Sequence, residues 1–484
     1  MSEHIRGPQV GANIRLVALL LFPLAAGCGR VRYAPRVTDG DVGLDARVPL
    51  DARGNFDAGD TSSLPDAFAA ADARDQDSFA LDAFATPDAF ATPDAFATPD
   101  AFMPPDAFMP PAPTSGCPLV WSTGRAQRID WDGAALTSSH FFVFARSLTS
   151  FSLGGGPAGT SLSPFLGAST GVYVSQLPPG QAVLSASIGL GDRIFAALET
   201  GFGELQATTG TIVGSRAFTP GSGNGGGDWR RSPGAGWWYA VTAFDNAQTL
   251  AGVTYPGTDS DALLASINPD MGAIVARRYR LPGGQGPGVV VALADDTALL
   301  YIGNDTAGAL DGVPIPTGAV LMHVDATLRV ISARSTGASV IDASATEDVV
   351  VWANDTLMQA ERAEGGALWS RPMGGLTPIH LRVLDDDRVT LVATTSSPLA
   401  AFGQTWGVAG MVSVVQIEFD RSGNYQRGRQ IPIGTAGGVY ARATVSPDGT
   451  RVAVVGNSVD ATVNPCGPTL VSSAVAEGAF VFVF

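Results

Sequence analysis

The feature of this sequence that most constrains its fold is a repeat of short apolar runs between turn residues. From Cys117 onward the chain is rich in Gly, Val, Ala and Thr, and a turn followed by a strongly apolar run recurs every 38 to 62 residues. The turns lie at Ser139, Asp192, Asp245, Asp295, Asp348, Asp386 and Asp448. Such periodic recurrence is typical of a chain built from successive copies of one supersecondary unit.

Each copy of the repeat predicts several strands. The apolar runs that follow the turns are rich in β-branched and aromatic residues, as strands buried on both faces require. They are HFFVFA from His140, RIFAAL from Arg193, QTLAGV from Gln248, ALLYIG from Ala298, VVVWAN from Val349, RVTLVA from Arg388 and RVAVVG from Arg451. A Gly/Ser/Pro-rich loop follows, then a third strand such as VYVSQL from Val172, a tight turn, and a fourth strand such as ALWSRPM from Ala367. With the strand before each turn, every unit is predicted to contain four antiparallel strands.

Four-stranded units of about 50 residues, in about seven copies, predict an all-β β-propeller over residues 117–484. The pattern resembles the bacterial β-propeller repeat often called SBBP, whose blades combine an apolar strand, a glycine-rich loop, a D-x-x-G turn and a tryptophan-containing strand. The fit is poorer after Asp192 and Asp348, where the middle loop is short, so the blade number stays open by one. A pair of β-sandwiches is the alternative architecture.

The last unit contains only three predicted strands, which indicates how the ring closes. They are ARATVS from Ala441, RVAVVG from Arg451 and AFVFVF from Ala479. The first apolar segment of the folded region, PLVWST from Pro118, is similar to the fourth-strand segment ALWSR from Ala367. We therefore predict that the N-terminal strand completes the last blade, because this closure removes two free sheet edges.

The N-terminus has the pattern of an export signal. Residues 1–15 carry basic side chains, and the uncharged run LVALLLFPLAA at 16–26 rises only about 16 Å as a helix, about half of a bilayer core. The run ends in LAAGC, which resembles the lipobox of bacterial lipoproteins. The resemblance implies a signal peptide over 1–27, lipid on Cys28 and attachment to the cell envelope, with the outer membrane expected because Gly29 follows. An ordinary secretory signal with an incidental cysteine is the alternative.

Residues 28–116 are predicted to form a disordered tether. From residue 65 onward the sequence becomes a hexad repeat in which PDAFAT and its variants recur. A proline in every hexad removes backbone donors and fixes φ, so neither a helix nor a central strand can propagate through the segment. The alternative is that the regularly spaced phenylalanines bind a partner.

The chain contains three cysteines, at positions 28, 117 and 466. If lipid occupies Cys28, the remaining two lie at the start of the closing strand and in the last blade, and an exported compartment permits a disulfide between them. Cys466 precedes the third strand of its unit, so the segment 457–478 must fold back along the blade for Cys117 and Cys466 to meet. Two buried free thiols are the alternative.

Motifs for catalysis and for ion binding are weak. The one G-x-S-x-G match, at 167–171, runs into a predicted strand and lacks the helix of a nucleophile elbow. The acidic turns at 295–296 and 385–387 lack the D-x-D-x-D-G spacing of a calcium loop, and aspartates in such turns usually cap their own backbone. Glycine clusters at 154–156 and 225–227 precede no predicted helix and so do not predict a phosphate site. We therefore predict no catalytic residue, no metal and no cofactor.

Aromatic residues supply the only candidates for ligand binding. Trp237 and Trp238 enter the third unit, and Trp406 lies in a glycine-rich loop. Such rings stack on a sugar or a peptide that lies across a propeller face, and packing inside a blade is the alternative. The histidines of the folded region are His140, His323 and His380. They fall in three different units, and core packing is a better interpretation of the first two than a catalytic triad or a zinc site.

Charge restricts the function further. The net charge is −16 and the chain contains no lysine, so binding to nucleic acid or to anionic lipid through a basic patch is not expected. We predict a non-enzymatic propeller, anchored at the surface or in the periplasm through lipid on Cys28, that binds protein or glycan. One alternative is a secreted hydrolase or lyase with a site in the central channel, which converging carboxylates with shifted pKa values would favour. Another is a structural component of the envelope, since the fold alone cannot decide.

Overall fold

The computed structural model describes the chain from Cys117 onward, with short gaps. The described residues are 117–177, 183–188, 193–198, 201–219, 228–231, 236–244, 247–250, 252–256, 261–268, 274–280, 289–344, 346–435, 438–459, 461–466, 469–471 and 477–484. All of them belong to one compact unit. The predicted signal peptide 1–27, the lipidation site Cys28 and the tether 28–116 lie outside the described residues.

The described residues form 35 strands. The first are β1 (Trp121–Arg125), β2 (Asp130–Leu136), β3 (His140–Phe151), β4 (Gly159–Leu162), β5 (Pro164–Gly167), β6 (Tyr173–Gln176), β7 (Val183–Ile188), β8 (Arg193–Leu198), β9 (Gly201–Gln206), β10 (Thr211–Thr219), β11 (Asp228–Arg231) and β12 (Trp237–Phe244). The next are β13 (Gln248–Leu250), β14 (Val253–Tyr255), β15 (Asp261–Ile267), β16 (Ile274–Tyr279), β17 (Val289–Ala292), β18 (Ala298–Asn304), β19 (Gly308–Leu310), β20 (Val313–Ile315), β21 (Gly318–Val324), β22 (Val330–Ser335), β23 (Val340–Ala343) and β24 (Val349–Ala353). The last are β25 (Leu357–Arg362), β26 (Ala367–Pro372), β27 (Thr377–Val383), β28 (Val389–Thr395), β29 (Leu399–Ala401), β30 (Gln404–Trp406), β31 (Met411–Phe419), β32 (Tyr425–Thr435), β33 (Val439–Val445), β34 (Val452–Val459) and β35 (Glu477–Val483).

These strands pair antiparallel in successive sheets. The four-stranded sheets have the orders β11-β12-β15-β16, β17-β18-β21-β22, β23-β24-β25-β26, β27-β28-β31-β32 and β1-β35-β34-β33. A five-stranded sheet has the order β2-β3-β5-β6 with β4 on β3, and a six-stranded sheet has the order β7-β8-β9-β10-β13-β14. Short hairpins, β19-β20 and β29-β30, lie between the second and third strands of two sheets. Each sheet is named below by its first and last strand along the chain, and β1-β35-β34-β33 is called the closing sheet.

The hydrophobic core lies between neighbouring sheets. Leu264 of the β11–β16 sheet packs in one cluster with Met322 of the β17–β22 sheet. Another cluster joins Val481 of the closing sheet to Phe141 of the β2–β6 sheet, so the core continues across the point where the ring closes. The first strands also contact one another in succession, from β2 through β7, β11, β17, β23, β27 and β33 back to β2. The first strands therefore form an inner ring and the fourth strands lie outermost, which is the arrangement of a β-propeller. The predicted all-β propeller fold is confirmed.

The prediction of about seven four-stranded blades is wrong, because only five of the sheets in the described part of the chain have four strands. Three of the predicted Gly/Ser/Pro-rich middle loops form hairpins, β13-β14, β19-β20 and β29-β30, and β4 folds back onto β3. The hairpin β13-β14 pairs with β10 of the preceding sheet, through Phe218 with Leu250 and Thr219 with Thr249. This pairing joins strands of two sequence units into one six-stranded ladder, so the hydrogen-bonded ladders do not divide into seven equal units.

Two strands occupy a different place in their sheets from the one that the sequence predicted. QTLAGV from Gln248 was expected to be a buried second strand, but that place is taken by β12, which pairs with both β11 and β15. VYVSQL from Val172 was expected to be a third strand, but β6 is the outermost strand of its sheet and pairs only with β5. Both errors arise because a short apolar run does not reveal whether the strand has a hydrogen-bonded neighbour on one side or on both.

Ring closure by the N-terminal strand is confirmed. Trp121 to Arg125 of β1 pair in register with Val483 to Ala479 of β35, which makes β1 the outermost strand of the closing sheet. A disulfide joins Cys117 to Cys466, with the two Cα atoms 5.7 Å apart. The chain around Cys466 folds back along the blade as this disulfide requires, since Val463 forms β-bridges to both Gly434 and Val471.

A recurrent hydrogen bond links six of the described outer strands to the next sheet. A side chain of the outer strand donates to a backbone carbonyl that lies directly after the third strand of the following sheet or in the turn before the fourth. We call these bonds outer-strand clamps. They are Trp121 Nε1 to Ala168 O (3.0 Å), Ser175 Oγ to Ala207 O (3.0 Å), Tyr279 Oη to Leu328 O (2.7 Å), Arg334 Nη1 to Ala363 O (2.5 Å), Trp369 Nε1 to Arg421 O (2.9 Å) and Arg429 Nη2 to Phe484 O (3.3 Å). Two of these carbonyls accept a second hydrogen bond, Leu328 O from Arg277 Nη1 and Phe484 O from the amide of Val452.

The G-x-S-x-G segment at 167–171 is one of these clamp turns. It connects β5 to β6, and its Gly171 has φ 66° and lies against the indole of Trp121, where an added Cβ would sit 2.6 Å from the ring. Gly423 has the same relation to Trp369, with φ 72° and a distance of 2.5 Å. The motif therefore positions a tryptophan of the neighbouring sheet, which agrees with the prediction that it is not a nucleophile elbow.

Glycine-to-alanine variants test the clamp turns. Gly312 also has a positive φ, 83°, but no atom lies within 4 Å of its Cβ position. A substitution at Gly312 therefore measures only the loss of stability that the positive φ causes. We expect Gly312→Ala to lower the free energy of unfolding by about 1 kcal/mol. Gly171→Ala and Gly423→Ala should lower it by about 1–3 kcal/mol more, because the methyl group meets an indole.

The measurement is urea unfolding of the full chain, with the free energy extrapolated to zero denaturant. Equal losses in all three variants would show that the tryptophan contact contributes nothing.

Candidate binding cleft

An open cleft lies between the β23–β26 sheet and the β27–β32 sheet. Its volume is about 330 Å³, at the lower end of the range of small-ligand sites. It is lined by Ser344, Glu347, Val349, Val351, Ala360, Leu368, Trp369, Val383, Asp387, Val389, Arg421 and Ser422. The seven lining residues of the β23–β26 sheet come from all four of its strands or the turns beside them, so the cleft extends from the inner ring to the outer strand.

The middle of the cleft is apolar. Val349 and Val351 are two residues apart on β24 and therefore face the same side, toward the β27–β32 sheet. Val383 at the end of β27 and Val389 at the start of β28 form the opposite wall. This floor continues the core that the two sheets share.

The outer wall of the cleft is formed by Leu368 and Trp369 at the start of β26. Leu368 is 47% exposed. The indole of Trp369 is already engaged, because its Nε1 forms the clamp to Arg421 O, Gly423 packs against its ring, and the Arg371 guanidinium lies 5.9 Å from the ring centroid. The cleft therefore presents an aliphatic side chain at this end and no free aromatic platform.

Polar groups flank the apolar middle. Asp387 accepts hydrogen bonds from Ser344 Oγ at 2.5 Å and from Thr346 Oγ1 at 2.9 Å, which fixes its carboxylate at the inner end. Glu347 and Arg421 are exposed on opposite sheets. Neither has an ion-pair partner among the described residues. The cleft thus has one carboxylate and one guanidinium group without an ion-pair partner in the described part of the chain, beside an apolar floor.

A second polar cluster lies at the boundary of the β17–β22 and β23–β26 sheets. His323 of β21 is only 5% exposed, and its Nε2 lies 2.8 Å from Thr297 Oγ1, which in turn donates to Asp295 Oδ1 at 2.6 Å. Because the single hydroxyl proton serves the carboxylate, Thr297 accepts from His323 Nε2–H. His323 Nδ1 and the buried Asp348 Oδ1 have no hydrogen-bond partner among the described residues.

The cluster does not have the order of a catalytic relay. In a relay the acid holds the base and the base contacts the nucleophile, whereas here Asp295 bonds to the hydroxyl itself. Burial lowers the pKa of His323, and the charges of Asp295, Asp348 and Glu364 oppose that shift. Burial and the charge of Asp295 raise the pKa of Asp348. His323 is buried at the boundary of two sheets, so the predicted core position is confirmed.

The structure places two of the three predicted aromatic residues in the core. Trp406 is fully buried and donates from Nε1 to Ala401 O at 3.0 Å, and Trp238 is 2% exposed. A ligand cannot reach either ring face, so the alternative of blade packing applies to both. The side chain of Trp237 is not described. His140 is buried and bonds to Ser139 Oγ at 2.8 Å, and His380 is half-buried in β27.

Aspartates of both acidic turns cap their own backbone, as predicted. Asp295 accepts from the amide of Thr297 and Asp386 from that of Arg388, whereas Asp387 accepts from the neighbouring sheet instead. Asp325 caps its turn in the same way, by accepting from the amide of Arg329. The hydrogen bond from the Arg329 amide lowers the pKa of Asp325. Among the described residues, no group of three or more His, Cys, Asp or Glu side chains has a geometry that could hold a metal ion.

The residues that line the cleft were not predicted from the sequence. Asp387 belongs to an acidic turn that was considered only for calcium, and Glu347 and Arg421 occupy turns between strands. The available signal was positional, because each lies where the first strand turns into the second or the third into the fourth. No local motif identifies such a site, since its walls come from residues 344 to 422 of two sheets.

Comparisons with known proteins identify similar folds and no family. No family model matches the chain, and no curated protein matches it. Solved structures that resemble it include the β-propeller domain of Cps50 (Swd1) from Myceliophteria thermophila, 11% identical with a TM-score of 0.40, covering 72% of this chain and 95% of that one. The WD40 domain of SCAP from fission yeast is 9% identical with a TM-score of 0.39, covering 74% and 98%. BamB from Moraxella catarrhalis is 15% identical with a TM-score of 0.29, covering 73% and 85%. The assignment as a propeller rests on the sheet order described above.

The His323 cluster predicts how stability depends on pH. Because burial lowers the pKa of His323 in the folded protein, the unfolded chain takes up this proton first as pH falls. Its contribution to stability is therefore present above about pH 6.5 and is lost progressively below it. We expect His323→Gln to flatten the decline between about pH 7.5 and 5.5, and Asp348→Asn to steepen it by removing a charge that raises the His323 pKa.

Urea unfolding of the wild type and both variants across this range measures the effect. The carboxylates of Asp311 and Asp325 have lowered pKa values, so they do not titrate in the pH range of this measurement. Identical slopes in the wild type and His323→Gln would contradict the assignment.

Proposed function

We propose that this protein is an envelope lipoprotein, anchored through Cys28, whose propeller acts as a non-enzymatic module that binds a protein through the cleft. The observation that carries the proposal is the combination of an apolar floor, an exposed Leu368 and two unpaired opposite charges in one open cleft. A core of apolar contact with a charged rim is the usual anatomy of a protein interface.

Protein is a better ligand for this cleft than glycan. Sugar sites commonly use a free aromatic face, and Trp369, Trp238 and Trp406 are engaged or buried. The exposed lining residue Leu368 offers aliphatic surface, which favours an apolar side chain of a partner.

A non-enzymatic role is supported by the polar groups. Asp387 receives its hydrogen bonds from the protein itself, and the His323 cluster is buried between sheets with its hydroxyl committed to Asp295. Neither group combines an accessible nucleophile with a base in reach.

Anchoring is supported by the sequence LAAGC at 24–28 and by the apolar run before it. Within the described part of the chain no helix has the length and hydropathy needed to cross a bilayer. Lipid on Cys28 is the attachment that we propose, because the apolar run 16–26 ends just before this cysteine.

A charge placed in the cleft tests the binding role. Leu368 and Val275 occupy equivalent outer-strand positions and are 47% and 52% exposed, but only Leu368 lines the cleft. In an array of envelope proteins and glycans probed with the full chain, we expect a protein ligand whose binding Leu368→Arg weakens at least tenfold. Val275→Arg, the matched control, should leave binding within about twofold.

A ligand that is lost equally with both variants, or one that neither variant affects, would place the binding site elsewhere. A glycan ligand would contradict the choice of protein.

The anchor is tested separately. We expect the expressed chain to incorporate a labelled fatty acid and to enter the detergent phase of a detergent–water partition, and Cys28→Ser to do neither. Cys117→Ser is the control, because it leaves the lipobox intact. Lipid labelling that survives Cys28→Ser would contradict the anchor.

A further inference from the structure

We propose that the cleft takes an extended peptide segment that carries an acidic residue, a large apolar residue and a basic residue in succession. This inference rests on the proposed function and specifies the chemistry of its partner. In the bound segment the acidic side chain meets Arg421, the apolar side chain enters the trough between Val351 and Val389, and the basic side chain meets Glu347.

The apolar trough determines the central residue of the segment. Val349 and Val351 face Val383 and Val389 across the cleft, and Ala360 leaves room at its floor because its side chain is a single methyl group. Such walls give no hydrogen bond to an inserted group, so a polar side chain would lose its water without compensation. A large aliphatic or aromatic side chain is the group that this trough favours.

The two charges determine the flanking residues. Other charges of the same sheet are paired, since Arg388 lies 3.0 Å and Arg427 2.9 Å from carboxylate oxygens of Glu418. Arg421 and Glu347 have no such partner among the described residues and lie on opposite walls of the cleft. Opposite unpaired charges at one site favour a ligand with the complementary pair and disfavour the reversed pair.

The extent of the cleft favours an extended segment. Its lining includes Ser344 after the first strand and Leu368 on the fourth strand of the same sheet, so it crosses three interstrand spacings, about 14 Å in total. Four residues of an extended chain cover this distance at about 3.4 Å each, whereas a helix would need about nine residues. The acidic and basic residues of the segment are therefore expected about four positions apart.

Selection from a displayed library of random linear peptides tests the inference, with the purified full chain as bait. We expect the wild type to enrich peptides in which acidic and basic positions lie about four apart on either side of an apolar residue. Arg421→Glu should replace the acidic position with a basic one, and Glu347→Arg should replace the basic position with an acidic one. The double variant should select the reversed motif.

Arg329→Glu is the matched control, because Arg329 is an exposed arginine in the β21–β22 turn, away from the cleft. It should leave the selected motif unchanged, and the unfolding midpoint of each variant shows that it is folded. A motif that does not change in the charge variants, or one that Arg329→Glu changes equally, would overturn the inference.

The two proposals fail in different ways. If the array finds a protein ligand that depends on Leu368 but the library yields no motif, the linear peptide is wrong and the binding module stands. If the array finds no protein ligand and the library yields no motif, both are wrong.

Discussion

Burial of the central strands on both faces is the constraint on which this structure depends. β18, β24 and β28 consist almost entirely of buried residues, so each needs an apolar surface on either side of its sheet. A row of such sheets leaves one apolar face uncovered at each end. Pairing of β1 with β35 and packing of Val481 against Phe141 bring the last sheet onto the first. The ring is therefore the arrangement in which every face is covered.

Much of this architecture could be predicted from the sequence because its signals are local. The similarity of PLVWST to ALWSR correctly identified β1 as an outer strand, and both tryptophans donate from Nε1 to a carbonyl of the following sheet. The rank of β12 and the pairing of β13 with β10 could not be predicted, because they depend on which edges are free after the sheets assemble. The clamps were also hidden, since Trp121 and Ala168 are 47 residues apart and Trp369 and Arg421 are 52 apart.

The candidate site illustrates the same limit. The sequence directed attention to aromatic residues, and the glycine-rich surroundings of Trp406 suggested an exposed loop, but its indole fills the space between sheets and bonds to Ala401. The cleft is lined by valines and by charged residues in turns, and these form a site only because two sheets place them side by side. Its neighbour, the His323 cluster, was correctly assigned to the core, while its link to Asp348 across the sheet boundary required the structure.

The disulfide between Cys117 and Cys466 has a mechanical consequence. Tension on the chain ahead of Cys117 enters the propeller at the start of β1, the outermost strand of the closing sheet. Part of that load passes through the disulfide into the segment around Cys466, which is bridged to Val471 through Val463. β1 therefore cannot be peeled from β35 residue by residue from its first end, and a pull must shear several hydrogen bonds at once. The covalent bond thus protects the strand that closes the ring at the point where the chain enters it.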